Sequence, residues 1–145
     1  MPINQTEENF ISGDASNKSM MRWTIVYVKD HHFAKVVAKG IYNIDDHMRM
    51  LEDVVTRDFW KLGKNLLIDA SELDLSDTGL EQLRAAGLKR TGFDALIGGG
   101  KTAVWVNSLI SFGRARQFQL ITSGKVSAKI DIFQDEDKAV RWLLA

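Results

Sequence analysis

The run Gly98-Gly99-Gly100-Lys101-Thr102 carries the most suggestive chemistry, because Gly-Lys-Thr closes the phosphate-cradling loop G-x-x-x-x-G-K-[ST]. The pattern fails twice. Its first glycine falls on Ala95, and the residues after Thr102 are apolar and strand-forming, whereas that loop must open a helix whose amides face the phosphate. A glycine turn entering a strand is the expectation. His31 and His32 are adjacent, so on a strand they point to opposite faces and at a hairpin tip they face solvent; His47 stands alone on a helix and reads as a surface residue. No convergent ligand set calls for a metal or a cofactor. Ser71, Ser76, Ser108 and Ser111 lie outside any G-x-S-x-G, and no His lies late in the chain, so a hydrolytic triad has no support. A non-catalytic domain is expected, with a motif-free site built from Asp69, Ser71, Asp77 and the arginines as the remaining enzymatic alternative.

The stretch after Ser108 is less ordinary. At about 100° per residue, Leu109, Ile110, Leu120 and Ile121 share one arc, while Phe112, Ala115 and Phe118 share another, with Arg114 and Arg116 between them. Two apolar arcs need two partners. One is the sheet; the Phe112, Ala115 and Phe118 arc, with Trp105, is the candidate surface for a second subunit, a protein partner or an apolar ligand. Arg114 and Arg116 are candidate contacts for an anionic headgroup or phosphate. The alternative ends the helix near Gln117 and turns the following residues back into the core.

Composition bounds these options. The 145 residues suit one domain, and 45% hydrophobic content with a single Pro is enough to bury a core. Nineteen basic against nineteen acidic residues leave no global footprint for nucleic acid. Without cysteine there is no disulfide or thiolate zinc site, and no apolar run approaches the roughly 18 residues of a membrane span. With no secretion signal at the start, a cytoplasmic location is expected.

The positioning elements follow from periodicity. Residues 1–20 read as a flexible tail and 21–145 as one domain. Alternation over 23–28 and 33–40 around a turn at Asp30-His31-His32 predicts a hairpin. Asn43 caps a helix with Asp45 and Asp46 in its first turn, apolar at Ile44, Met48, Leu51, Val55 and Phe59, and ended by Gly63. The run 65–70 is a buried parallel strand; 77–90 a helix with Leu80, Leu83 and Gly87 on one face, its start capped by Asp77 and Thr78; 101–107 a buried strand; 125–133 an alternating strand; and Asp135 caps a final helix. The order β-β-α-β-α-β-α-β-α implies an α/β domain with a mixed sheet, a leading hairpin and helices mainly on one face.

That order, with Leu66-Leu67-Ile68-Asp69-Ala70-Ser71 followed by Ser76-Asp77-Thr78-Gly79-Leu80, resembles the STAS domains of anti-sigma-factor antagonists and sulphate transporters. More narrowly, the chain resembles the SpoIIAA-like family. The ending Ile130-Asp131-Ile132-Phe133-Gln134-Asp135-Glu136-Asp137-Lys138-Ala139-Val140-Arg141-Trp142-Leu143 is similar to that family's strand, acidic cap and Ala-x-x-Trp-Leu helix, and Lys101-Thr102-Ala103-Val104-Trp105-Val106 with Phe112-Gly113-Arg114-Ala115-Arg116-Gln117-Phe118 also fits it. In antagonist members an Asp-Ser-Ser-Gly loop is phosphorylated on its first Ser to control partner binding. Matching Gly79-Leu80 puts Asp77 at that Ser and Thr78 at the second, so a switch would have to use Thr78. The resemblance extends in fold to CRAL-TRIO lipid-binding domains, which makes an apolar ligand the alternative to a regulatory protein-binding role. A homodimer is the expected assembly of a bacterial domain of this kind.

Overall fold

The computed structural model describes residues 20–145 and, as backbone, one strand before them. In chain order the elements are β1 (Gln5–Glu8), β2 (Arg22–Val28), β3 (Phe33–Ile41), α1 (Ile44–Val55), β4 (Asn65–Asp74), α2 (Leu80–Thr91), α3 (Asp94–Ile97), β5 (Lys101–Trp105), α4 (Leu109–Thr122), β6 (Lys129–Phe133) and α5 (Glu136–Leu144). The expected order is present with two additions. Strand β1 pairs antiparallel with β2, Gln5 opposite Val28, inside the stretch expected to be a flexible tail. Its polar sequence, Gln-Thr-Glu-Glu, has no apolar alternation to announce a strand. The rest of that expectation lies outside the described residues. The other addition is the single turn α3, just before the Gly98-Gly99-Gly100 run.

The six strands lie in sequence order, β1-β2-β3-β4-β5-β6. The pairs β1/β2 and β2/β3 are antiparallel, and β3/β4, β4/β5 and β5/β6 are parallel. Each crossover therefore steps one strand in the same direction, and the right-handed preference of such connections puts α1, α2 and α4 on one face. A core of Trp23, Ile25, Val36, Met50, Leu51, Val54, Leu66 and Ile97 fills that side. Helix α5 crosses to the other face and covers Val28, Phe33, Leu67 and Ala103 with Ala139, Val140 and Leu143. The buried residues on both faces of β4 and β5, Leu66 and Leu67 in the first strand and Thr102 and Ala103 in the second, follow from this double cover.

Local chemistry explains most boundaries. The Asn43 side chain accepts the Asp46 amide at 3.0 Å and so caps α1. Helix α1 then stops at Val55 rather than running on to Gly63, and Trp60 in the following turns donates its indole N–H to the Leu96 carbonyl at 3.0 Å. Asp135 caps α5 through the amides of Asp137 and Lys138. Helix α2 begins at Leu80 with Gly79 as its cap residue, so Asp77 and Thr78 precede it and do not cap it; the Gln82 side chain accepts the Gly79 amide at 2.9 Å instead. Strand β6 is shorter than the alternation over 125–133 suggested, because the Ser127 amide is held by Asp94 at 2.8 Å and the ladder starts only at Lys129.

Candidate functional site

The helices do not all sit equally on the sheet. Helix α1 packs on β2 and α4 on β6, while α2 rests on α4 and α1. Beneath it, between the three helices and the sheet, lies a cavity of about 80 Å³, well beyond the roughly 10–15 Å³ that one water needs. Leu66, Ile68 and Ala70 of β4, Thr102 and Val104 of β5, and Ile130 and Ile132 of β6 form its floor. These are alternate residues on each strand, as one face of a sheet requires. Met50 and Leu51 of α1, Leu83 of α2, and Ala115 and Phe118 of α4 form the opposite wall.

Five polar side chains interrupt this apolar lining: Tyr42, His47, Arg90, Thr102 and Arg114. His47 lies on the same side of α1 as Met50, Leu51 and Val54, and is buried rather than on the surface as its isolation suggested. Its Nδ1 hydrogen-bonds the Tyr42 hydroxyl at 2.7 Å, and its ring lies 5.7 Å from that of Phe118. Burial first, and the Arg90 charge second, push the imidazole down to about 4, so it is neutral at pH 7. Burial also raises the Tyr42 phenol above its ordinary range.

Arg90 is only 3% exposed. Its nearest carboxylate, Asp94, stands 3.9 Å from Nη1 and is otherwise occupied with the Ser127 amide and hydroxyl at 2.8 and 2.9 Å. Neither Nη1 nor Nη2 of Arg90 has a hydrogen-bond partner, and neither does Nε of Arg114. Burial pulls the Arg90 guanidinium below its usual range, partly offset by Asp94. Burial pushes the Asp94 carboxyl up, but the donors from Ser127, the Arg90 charge and the Ala128 amide hold it below the ordinary carboxylate range.

The residues expected to form a site are thus divided. Ala115 and Phe118 line the cavity, Phe112 packs half-buried against the same core, and Arg114 joins them. That arc faces the sheet. Most of the other arc is open to solvent, with Leu109 81%, Ile110 58% and Leu120 65% exposed, while its fourth member, Ile121, is half-buried against Gly87 of α2. Periodicity reveals two arcs on α4 but not which one the crossover turns inward. Trp105 does not join Phe112: it follows Ala103 on the α5 face, packed in the cluster with Phe133 and Trp142. Arg116 is exposed and bonds Gln119 at 2.6 Å, away from Arg114.

The region at the start of α2 is likewise split. Asp77 is exposed, whereas Thr78 is 4% exposed, with its amide on the Leu75 carbonyl at 3.0 Å. A kinase would have to unfold this turn to reach the hydroxyl. Asp69 accepts the amide and hydroxyl of Ser71 at 3.0 and 2.6 Å. Both alternate with Ile68 and Ala70 and so face away from the cavity, which separates them from Arg90 and Arg114 by the thickness of the sheet. The glycine run precedes β5 as expected, and Lys101 spends its ammonium on the carbonyls of Trp142 and Ala145, both at 2.8 Å. The sequence singles out no role for Arg90, and it suggests the wrong surroundings for His47. The available signal was position: Leu83, Gly87 and Arg90 continue one stripe of α2, and His47 sits three and four residues before Met50 and Leu51.

No family model and no curated protein matches this sequence. Among solved structures, the chain is similar to an uncharacterised protein of the DUF3478 family from Shewanella loihica PV-4, described as having a SpoIIAA-like fold, at 18% identity and a TM-score of 0.56 over 90% of this chain and 99% of that one. No helix among the described residues is long and apolar enough to cross a membrane. The strand order, the three crossover helices on one face and this likeness together identify the architecture of the chain as the SpoIIAA-like fold.

Proposed function

We propose that this protein is a non-catalytic binding module that encloses a small apolar molecule between its sheet and helices α1, α2 and α4, acting as its carrier or sensor. The observation that carries this reading is the cavity beneath α2, walled by Leu51, Leu66, Ile68, Leu83 and Phe118. A void of this kind forfeits dispersion contacts along its whole lining, and a ligand restores them. The separation of Asp69 and Ser71 from the cavity arginines favours binding over catalysis.

Native mass spectrometry of the untreated protein tests the reading. A discrete apolar adduct, recovered by solvent extraction near one molecule per chain, is the expected result. Bare protein in repeated preparations, with no stoichiometric small molecule in the extract, overturns it.

A second reading, a regulatory protein-contact surface, is favoured by the outward side of α4. There Leu109, Ile110 and Leu120 stand in solvent, and a second copy of the chain is the simplest occupant.

A further inference from the structure

We infer that the molecule held in the cavity is an amphiphile with an anionic end, a carboxylate on an apolar body, and that Arg90 and Arg114 receive the charged group. The inference rests on the apolar-ligand reading above and adds the chemical class of the ligand. Its basis is the state of the two guanidinium groups. Arg90 is 97% removed from solvent by the complement of its 3% exposure, yet both of its terminal nitrogens lack acceptors. Leaving a buried charged donor unsatisfied is among the costlier defects a fold can carry.

Arg114, one helix away on α4, lines the same cavity with its Nε also unpaired. Asp94 is the acid nearest Arg90, but at 3.9 Å it forms no hydrogen bond with it and is satisfied by Ser127. Of the other polar groups in the lining, His47 and Tyr42 bond each other and Thr102 brings a neutral hydroxyl, so none supplies a negative charge at neutral pH. The cavity lining therefore offers cationic donors and no carboxylate of its own, and Asp94, the ion-pair partner of Arg90 at 3.9 Å, stands outside it. A guanidinium presents its donors as a planar fork matched to a carboxylate, and such pairs strengthen as water is excluded. The remaining walls are aliphatic or aromatic, and they fit the tail.

Calorimetric titration of the full chain with octanoate, and with octan-1-ol as its uncharged match, tests the inference at pH 7.5 and constant ionic strength. Octanoate is expected to bind at least about tenfold more tightly, the scale of a charge-assisted hydrogen bond. Arg90→Met should abolish that preference while octanol affinity stays within about twofold, and Arg114→Met should reduce it. Arg90→Lys, which keeps the charge and loses the fork, should retain part of it. Thermal melts of the ligand-free variants separate this role from a structural one: Arg90→Met should melt at or above the wild-type temperature, because the deleted charge had no hydrogen bond to lose. A lower melting temperature with an unchanged preference for octanoate makes Arg90 a structural residue and overturns the assignment. Equal affinity for octanoate and octanol overturns the anionic end and leaves the apolar carrier standing. Absence of binding by both overturns the two together.

Discussion

His47 is the side chain whose protonation this fold resists most clearly. Its ordinary value of 6.5 is lowered to about 4 by burial and by Arg90. An unfolded chain therefore takes up a proton below pH 6.5 that the native state refuses, and stability is complete above that pH and lost as pH falls toward 4. At pH 5 the loss is about 2 kcal/mol. Urea unfolding at pH 7.5 and pH 5 should show this difference for the wild type and not for His47→Gln, which keeps an acceptor for Tyr42; equal pH dependence in the two proteins would remove His47 as its source. Candidate site residues were legible in part. Helical period groups Ala115 with Phe118, and the crossover turns that arc, with the neighbouring Arg114, toward the cavity. Trp105 was misplaced for the opposite reason: on a strand covered on both faces, both sides are apolar and composition does not say which one a tryptophan takes. Arg90 belongs to no motif; its place on the Leu83-Gly87 stripe marks the face of α2 that it shares, and the placement of α2 over α4 and α1 buries that face.

At the scale of elements, capping and alternation gave sound guidance wherever local interactions set the outcome. Asn43 and Asp135 cap the helices that follow them, and β2, β3 and β5 appear close to their expected bounds, while β4 starts as expected at Asn65 but runs on to Asp74, four residues past the expected end. The start of α2, the end of α1 and the length of β6 moved because partners distant in sequence fix them: Trp60 reaches Leu96, and Asp94 holds Ser127. The height of α2 above the sheet depends on its seat against α4. There a β-carbon on Gly87 would come within 2.6 Å of Ile121 Cγ2. Gly87→Val should therefore lower stability by about 2 kcal/mol, since overpacking outweighs the small propensity gain over glycine. Denaturant unfolding measures this; an unchanged midpoint would mean that the α2/α4 seam yields without cost.

For the molecule as a whole, one-directional strand order concentrates three helices on one face and leaves α5 to cover the other. This was legible as far as the mixed sheet and leading hairpin, because alternation of strand and helix restricts the connections to a few. The added edge strand β1 was not, because backbone pairing can recruit a polar segment that periodicity ignores. The outer side of α4 bears on assembly. If two copies meet there, analytical ultracentrifugation at tens of micromolar should show a dimer that Ile110→Asp with Leu120→Asp converts to monomer. Both positions are exposed, so the fold should survive the change. A mutant that remains dimeric rejects this face as the contact.

Two of the tight glycine contacts, at Gly87 and at Gly100, differ in what a second mutation could repair. Gly87 meets a side-chain methyl, Cγ2 of Ile121, so Ile121→Ala should act as a suppressor of Gly87→Val, and the two positions can drift together through sequence space. Gly100 instead lies against the backbone of Gly63 and Lys64, with Gly98 against the Gly63 amide and Leu62. A β-carbon at Gly100 collides with main-chain atoms that every amino acid carries, so no exchange at Gly63 or Lys64 makes room for it. That joint has no genetic remedy short of moving the chain, and a library of second-site revertants should return Gly100 itself rather than a compensating partner.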